Sequence, residues 1–205
     1  TINGIEETDC ILILGSNVRE EAPIINTRIR KHLLNKNIPV GLIGNKHDLT
    51  FNYEHLGNDL NVLKSISDGE NYFCKKLGKA KKPMIIIGQS VLNRDDSLNT
   101  FSLIEDIIHQ YAFLSSSWNG VNTLQLSASR VGALDMGCYQ NSRSLKDIYD
   151  DAESGSLKLL FSFGADEVDF TKFKNTKIIY MGSHGDRCAS HADIILPPAA
   201  YTEKD

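Results

Sequence analysis

The sequence predicts a doubly wound, Rossmann-like α/β fold with a mostly parallel sheet. Two observations carry that prediction. Six short apolar runs recur along the 205 residues, and each stops at a glycine or a proline. Between several of them lie stretches whose apolar residues repeat with helical spacing. A run that is apolar throughout, rather than alternating, marks a strand covered on both faces, as in parallel sheets. Glycine at the strand end allows the sharp exit that a turn into a helix needs. Strands alternating with helices build a layered α/β domain.

The first strand is Cys10–Leu14, before Gly15. Glu20, Glu21 and Pro23 suit a helix start, because carboxylates favour the positive helix end and proline fits the first turn. That helix spans 23–36, with Ile25, Ile29 and Leu33 on one face and Arg28, Lys31 and His32 on the remaining surface. Strands follow at Val40–Ile43 before Gly44 and at 84–87 before Gly88. A second helix spans 95–111, with Phe101, Ile104, Ile108 and Tyr111 on its apolar face and Asp95 or Asp96 as its cap. Residues 113–115 predict a further short strand. Leu145, Ile148, Tyr149 and Ala152 mark a shorter helix. Strands at 157–163 before Gly164, 178–181 before Gly182 and 194–196 before Pro197 complete the set. The stretch 115–122 is rich in Ser, Asn and Gly and holds the only tryptophan, Trp118. It predicts a boundary between an α/β lobe at 1–115 and a second lobe at 116–205 packed on the first.

A content of 41% hydrophobic and 23% charged residues places the chain among ordinary globular proteins. A net charge of −4 weighs against a nucleic-acid partner, which calls for a basic stripe. No apolar run approaches the ~20 residues that span a bilayer. Membrane association is therefore expected only through partners. The sequence opens on Thr1 without a signal-peptide pattern, and both ends read as cuts within a longer polypeptide. Cys10, Cys74, Cys138 and Cys188 are too widely spaced for an iron–sulfur or zinc ligand run. They read as reduced thiols, mostly in the core.

Several motifs invite a chemical reading. Asn45-Lys46-His47-Asp48 after a strand has the form with which GTPases recognise guanine. A GTPase also needs a Gly-x4-Gly-Lys-Ser/Thr loop, and Gly78-Lys79 is followed by Ala80 with no glycine five residues earlier. The bland reading is a polar turn. Gly15-Ser16-Asn17 stands where a helix N-terminus can bind phosphate, but Glu20 and Glu21 would repel an anion. His184, Asp186, Cys188 and His191 are metal-ligand types within eight residues. One short loop rarely supplies a whole tetrahedral set, so turn hydrogen bonds from His184 and Asp186 are the expectation. Ser115–Ser117 lacks a nucleophile elbow, and His109 falls on a helix, so no triad is assigned. Asp95-Asp96 and Asp150-Asp151 read as caps and solvated ends. Lys75, Lys76, Lys79, Lys81 and Lys82 read as a solvated helix end. A docking surface for an acidic partner is the alternative.

The chain also resembles a known family along nearly its whole length. Gly15-Ser16-Asn17-Val18-Arg19-Glu20-Glu21-Ala22-Pro23, then Arg28-Ile29-Arg30, carries the first match, with Val18 where the family has proline. Asp48-Leu49-Thr50 with Tyr53 and His55-Leu56-Gly57 carries the second, and Lys81-Lys82-Pro83-Met84 the third. Gly132-Ala133-Leu134-Asp135-Met136-Gly137 and Phe163-Gly164-Ala165-Asp166 follow. Gly182-Ser183-His184-Gly185-Asp186 and Ala192-Asp193-Ile194-Ile195-Leu196-Pro197, then Ala199-Ala200-Tyr201-Thr202-Glu203-Lys204, end the series. These are similar to the largest iron–sulfur subunits of NADH-quinone oxidoreductase, respiratory complex I, in their molybdopterin-oxidoreductase-like C-terminal region.

The resemblance implies a structural domain of an enzyme that carries electrons from NADH to ubiquinone and translocates protons. It implies a scaffold retained without the pterin cofactor, and parent 4Fe-4S and 2Fe-2S clusters held by N-terminal segments. It implies partners in the peripheral arm and in the iron–sulfur region of the same chain. It places the protein peripherally on the cytoplasmic face of a bacterial inner membrane, or on the matrix side in a mitochondrion. No residue here is expected to be catalytic, to bind a cofactor or to hold a metal. Two other readings stand beside it. One is a fragment of a molybdenum enzyme, such as a formate dehydrogenase or nitrate reductase relative. The other is a GTP-binding module resting on residues 45–48.

Overall fold

The computed structural model describes residues 2–94, 96–127, 129–138 and 143–203; Asp95, Lys204 and Asp205 lie outside them. The chain divides into two compact units, Thr1–Val131 and Gly132–Asp205.

The first unit is built on a five-stranded sheet. Its strands are β1 (Cys10–Leu14), β2 (Val40–Ile43), β3 (Glu54–Gly57), β4 (Pro83–Ile87) and β5 (Val121–Thr123). They lie in the order β3-β2-β1-β4-β5, and every pair is parallel. The helices are α1 (Val18–Glu21), α2 (Pro23–Asn35), α3 (Leu60–Ser67), α4 (Cys74–Leu77), α5 (Gln89–Leu92) and α6 (Ser97–Gln110).

Alternation along β1 sorts its side chains between two cores. Cys10, Leu12 and Leu14 meet Leu63 and Ile66 of α3 and Ile104 and Ile107 of α6. Ile11 and Ile13 pack in the opposite core with Ile29 of α2 and Trp118. All five β1 residues are buried, as a continuous apolar run predicts. Each buried Leu or Ile contributes roughly 1.5–3 kcal/mol of hydrophobic stabilisation.

The second unit carries α8 (Leu145–Glu153) and a three-stranded parallel sheet of β6 (Leu159–Phe163), β7 (Lys177–Met181) and β8 (Ile194–Ile195), in that order. The short helix α7 (Arg130–Asp135) precedes α8, and α9 (Arg187–His191) joins β7 to β8. The core lies on one side of this sheet and contains Ala152, Phe170, Phe173, Ile178, Tyr180 and Cys188. The opposite side is exposed, contrary to the double coverage that its apolar runs predict.

Other expectations change as well. The boundary falls at 131/132 rather than 115/116, because β5 pairs with β4 and Trp118 and Leu124 are in the first unit's core. Residues 113–115 do not form a strand: Phe113 is buried among the helices, and Leu114 makes an isolated antiparallel bridge to Asn119. Residues 115–120 form a tight loop and residues 121 and 122 begin β5, so the stretch is not a linker. The Trp118 indole N–H donates to the Pro83 carbonyl at 2.7 Å, and the Ser115 hydroxyl accepts from Trp118 N–H. The second helix begins at Ser97, and Asp96 does not cap it because its carboxylate faces Arg94 at 2.6 and 2.8 Å. Its buried face is Thr100, Ile104 and Ile107, leaving Phe101 exposed. His32 is buried rather than on the surface, with Nε2 2.8 Å from the Thr8 carbonyl. Cys138 is exposed, whereas Cys10 and Cys188 are core thiols. Burial in the sheet pushes the Cys10 thiol up to about 12, so it stays protonated and unreactive at neutral pH.

Candidate functional site

In an open α/β sheet, ligands bind outside the carboxyl ends of the strands where the strand order reverses. In the first unit that reversal lies between β1 and β4. A crevice of about 390 Å³ opens there, lined by Ser16, Asn17, Asn45, Asp59, Ser90 and Arg94 among others.

The two loops at the reversal point are pressed together. A Cβ on Gly88 would lie 2.3 Å from the Gly15 carbonyl oxygen, and one on Gly15 would lie 2.4 Å from Val91 Cγ2. The Ser90 hydroxyl donates to that same Gly15 carbonyl. The backbone N–H of Asn17 donates to the Glu21 carboxylate at 2.9 Å, and the Ser16 hydroxyl donates to it at 3.0 Å. The chain's own carboxylate thus takes the donors that a phosphate would use.

The neighbouring Asn-Lys-x-Asp turn is also committed internally. Asp48 accepts from Thr50 N–H at 3.0 Å and from Arg19 at 2.6 Å. These two partners, the backbone amide first, hold its carboxyl below the usual range. The His47 carbonyl accepts from the Tyr53 hydroxyl at 2.5 Å, and the His55 ring nitrogen lies 2.8 Å from the Gly44 carbonyl. The carboxylate that would read a guanine edge is already bonded to Arg19.

The four clustered ligand types in the second unit do not converge. Asp186 caps α9 through Ala189 N–H at 3.2 Å and accepts a short hydrogen bond from the Tyr180 hydroxyl. His184 Nδ1 lies 3.0 Å from the Ser183 hydroxyl, Cys188 is buried, and His191 lies against Phe170. Among the described residues no group of three or more His, Cys, Asp or Glu is placed to hold a metal. Ser115 and His109 stay apart in role. The first braces the Trp118 turn, and the second pairs with Glu105 on an exposed helix face at 3.9 Å. In the lysine run, Lys76 pairs with Glu54 and Lys82 with Glu7, both at 2.5 Å.

The residues that carry the family resemblance serve the fold. Gly182 leaves room for the Tyr180 ring, since a Cβ there would lie 1.8 Å from the Tyr180 oxygen. Asp166 accepts from Arg187 N–H at 2.7 Å, tying the loop after β6 to α9. Asp193 accepts from Ile178 N–H at 2.8 Å and from Lys177 at 2.7 Å, joining β7 to β8. Sequence reading missed β3, whose Glu54-His55-Leu56-Gly57 is no apolar run, and the capping box of Ser144 and Asp147 at α8. The Ser-x-x-Asp spacing was the available signal for the latter.

Comparison with known proteins decides the family. The family model described as molybdopterin oxidoreductase matches residues 1–205. The chain belongs to the molybdopterin oxidoreductase family. It is 45% identical over 203 residues to the NADH-ubiquinone oxidoreductase 75 kDa subunit of Reclinomonas americana, covering 98% of this chain and 29% of that protein. It is 39% identical over 204 residues to an NADH-quinone oxidoreductase subunit of Rickettsia felis, covering 100% and 29%. It is 41% identical over 207 residues to the mitochondrial NADH-ubiquinone oxidoreductase 78 kDa subunit of Neurospora crassa, covering 100% and 27%. The chain spans less than a third of the length of these relatives. The family name implies a pterin cofactor, and the crevice does not suit a pyrophosphate arm. Its loops touch at the reversal point, and Glu21 occupies the donors.

The internal carboxylates set an acid limit on stability. Asp186 is held below the usual range by the Tyr180 hydroxyl, and Asp193 by Lys177 and the Ile178 amide. A carboxylate whose folded pKa lies below its unfolded value of about 4 stabilises the fold above that pH. The contribution is lost as pH falls through the lower folded value. Tyr180, raised to about 12 first by its bond to Asp186, has the opposite sign: its contribution is present below its ordinary value of 10 and is lost as pH rises through about 12. The urea midpoint is expected to be flat from pH 7 to about 5 and to fall below about 4. An unchanged midpoint at pH 3 would contradict these assignments.

Proposed function

We propose that this chain is the structural, molybdopterin-oxidoreductase-type domain of the large iron–sulfur subunit of an NADH-quinone oxidoreductase. The parent enzyme passes electrons from NADH to ubiquinone and couples this to proton translocation. The observation that carries the reading is the match over the whole chain to subunits of that enzyme, together with motif residues bonded within the fold. On this reading the domain binds no pterin and holds no metal. The 4Fe-4S and 2Fe-2S clusters belong to N-terminal segments of the parent chain. Its partners are that iron–sulfur region and other subunits of the peripheral arm. It sits on the matrix side of the mitochondrial membrane, or on the cytoplasmic face of a bacterial one.

Native gels of membranes from the source cells test this, probed with an antibody to the chain and stained for NADH dehydrogenase activity. Co-migration with a large NADH-oxidising band that lacks molybdenum is expected. A separate band that contains molybdenum and no NADH activity would sink the proposal and favour a molybdenum oxidoreductase.

A further inference from the structure

The second unit leaves one face of a parallel sheet bare. Register places Phe161 of β6 beside Ile179 of β7 and Phe163 beside Met181, with Leu159 beside Lys177 at the start of the strands and Ile194 of β8 next to Ile179. Phe161 is 54% exposed, Phe163 70% and Ile194 51%, and the two phenylalanine rings stack at 6.4 Å. Parallel sheets are normally covered on both faces, and a contiguous exposed apolar patch marks an interaction site. β6 is also an edge strand, with one side unpaired.

Topology says what is missing. The crossovers β6 to β7 and β7 to β8 advance in one direction, and right-handed crossovers of that kind lie on a single face. Phe170 and Phe173 of the first connection and Cys188 of the second do share the one core. The first unit begins with the same plan, since β1, β2 and β3 also advance in one direction. There the chain then crosses back over the other face through α3 and α4, whose Leu63, Ile66 and Leu77 cover it, and enters β4 beside the free edge of β1.

We infer that the exposed face of the second unit is the seat of a helical crossover from the same polypeptide, leading to a strand that pairs with the free edge of β6. The occupant is an amphipathic helix with an apolar stripe, equivalent in place to α3 and α4. The inference rests on reading this chain as a segment of a longer subunit, as its coverage of less than a third of its relatives indicates.

Hydrogen exchange on the 205-residue chain, the full-length subunit alone and the assembled complex tests it. Amides of residues 159–163 are expected to exchange at least about tenfold more slowly in the full-length subunit than in the 205-residue chain. Amides of 10–14 serve as the internal reference, protected in both. Equal exchange of 159–163 in the two would overturn the inference. So would slowing only in the assembled complex, which makes another subunit the occupant. So would slowing with concentration in the 205-residue chain, which makes it a second copy, or full protection there when dilute. A second measurement uses Phe163→Cys in the full-length subunit, where maleimide labelling is expected to be blocked. Labelling at the rate of an open thiol would overturn it independently. Neither readout depends on NADH oxidation, so failure here is distinguishable from failure of the proposed function.

Discussion

Gly120→Ala is expected to lower the melting temperature of the first unit by roughly 10 °C, from about 3 kcal/mol of overpacking. A Cβ at Gly120 would lie 2.0 Å from the Pro83 carbonyl oxygen and 2.6 Å from Trp118 Nε1. Both atoms are committed, because the indole N–H donates to that carbonyl. The Gly120 carbonyl in turn accepts from Ile85 N–H at 2.8 Å, and its own N–H donates to Phe113. No flexible side-chain tip is available to give way. The methyl must push backbone apart where β4 meets the entry to β5, and Trp118 must leave its core. Trp118→Ala, which removes the ring without a clash, is expected to cost about 3–5 kcal/mol by itself. Gly132→Ala is the control: nothing lies within 4 Å of its Cβ and it sits in α7, so it should be neutral or slightly stabilising. Thermal unfolding followed by circular dichroism separates the three. Equal melting temperatures for Gly120→Ala and Gly132→Ala would refute the close approach.

That loop also shows which parts of the fold were legible. The β1, β2 and β4 runs predicted their strands because burial on both faces forces an unbroken apolar sequence, which is the signal that survives without a structure. β5 is three residues, Val-Asn-Thr, preceded by Ser, Asn and Gly. Local composition there says linker. Long-range contacts make it part of the sheet: its parallel pairing with β4, and the Trp118 bond to Pro83, 35 residues away, that anchors the preceding loop. β3 was hidden for a related reason, because it is half exposed at the sheet edge and carries Glu54 for its pair with Lys76. At the crevice, the repulsion expected from Glu20 and Glu21 was legible as charge. The role of Glu21 in bonding Asn17 and Ser16 depends on a turn geometry that spacing alone does not specify. In the second unit the apolar runs predict the strands, but the double coverage they also predict is not met, because Phe161, Phe163 and Met181 face outward from the described residues.

The largest effect in the second unit is expected from Gly182→Ala. Its Cβ would lie 1.8 Å from the Tyr180 oxygen and 2.1 Å from Cζ, so the buried ring must move or the turn must open. Moving the ring removes the hydroxyl from Asp186, whose other oxygen caps α9, and it vacates the core beside Cys188. The single variant should therefore melt the second unit early while leaving the first unit's transition in place. A double-variant cycle identifies the cause, because contacting residues do not act additively. If the ring clash is the whole effect, Gly182→Ala combined with Tyr180→Ala should be no less stable than Tyr180→Ala alone. Additive losses would instead locate the strain in the backbone of the turn and reject the ring-room account of this glycine. On the proposed function, the same substitution in the full-length subunit should reduce the amount of assembled NADH-quinone oxidoreductase and leave NADH oxidation per assembled complex unchanged. A domain that only supports the electron path can lose occupancy without altering the rate of the copies that form. A fall in turnover per complex at normal assembly would place chemistry in this domain and overturn its reading as a scaffold.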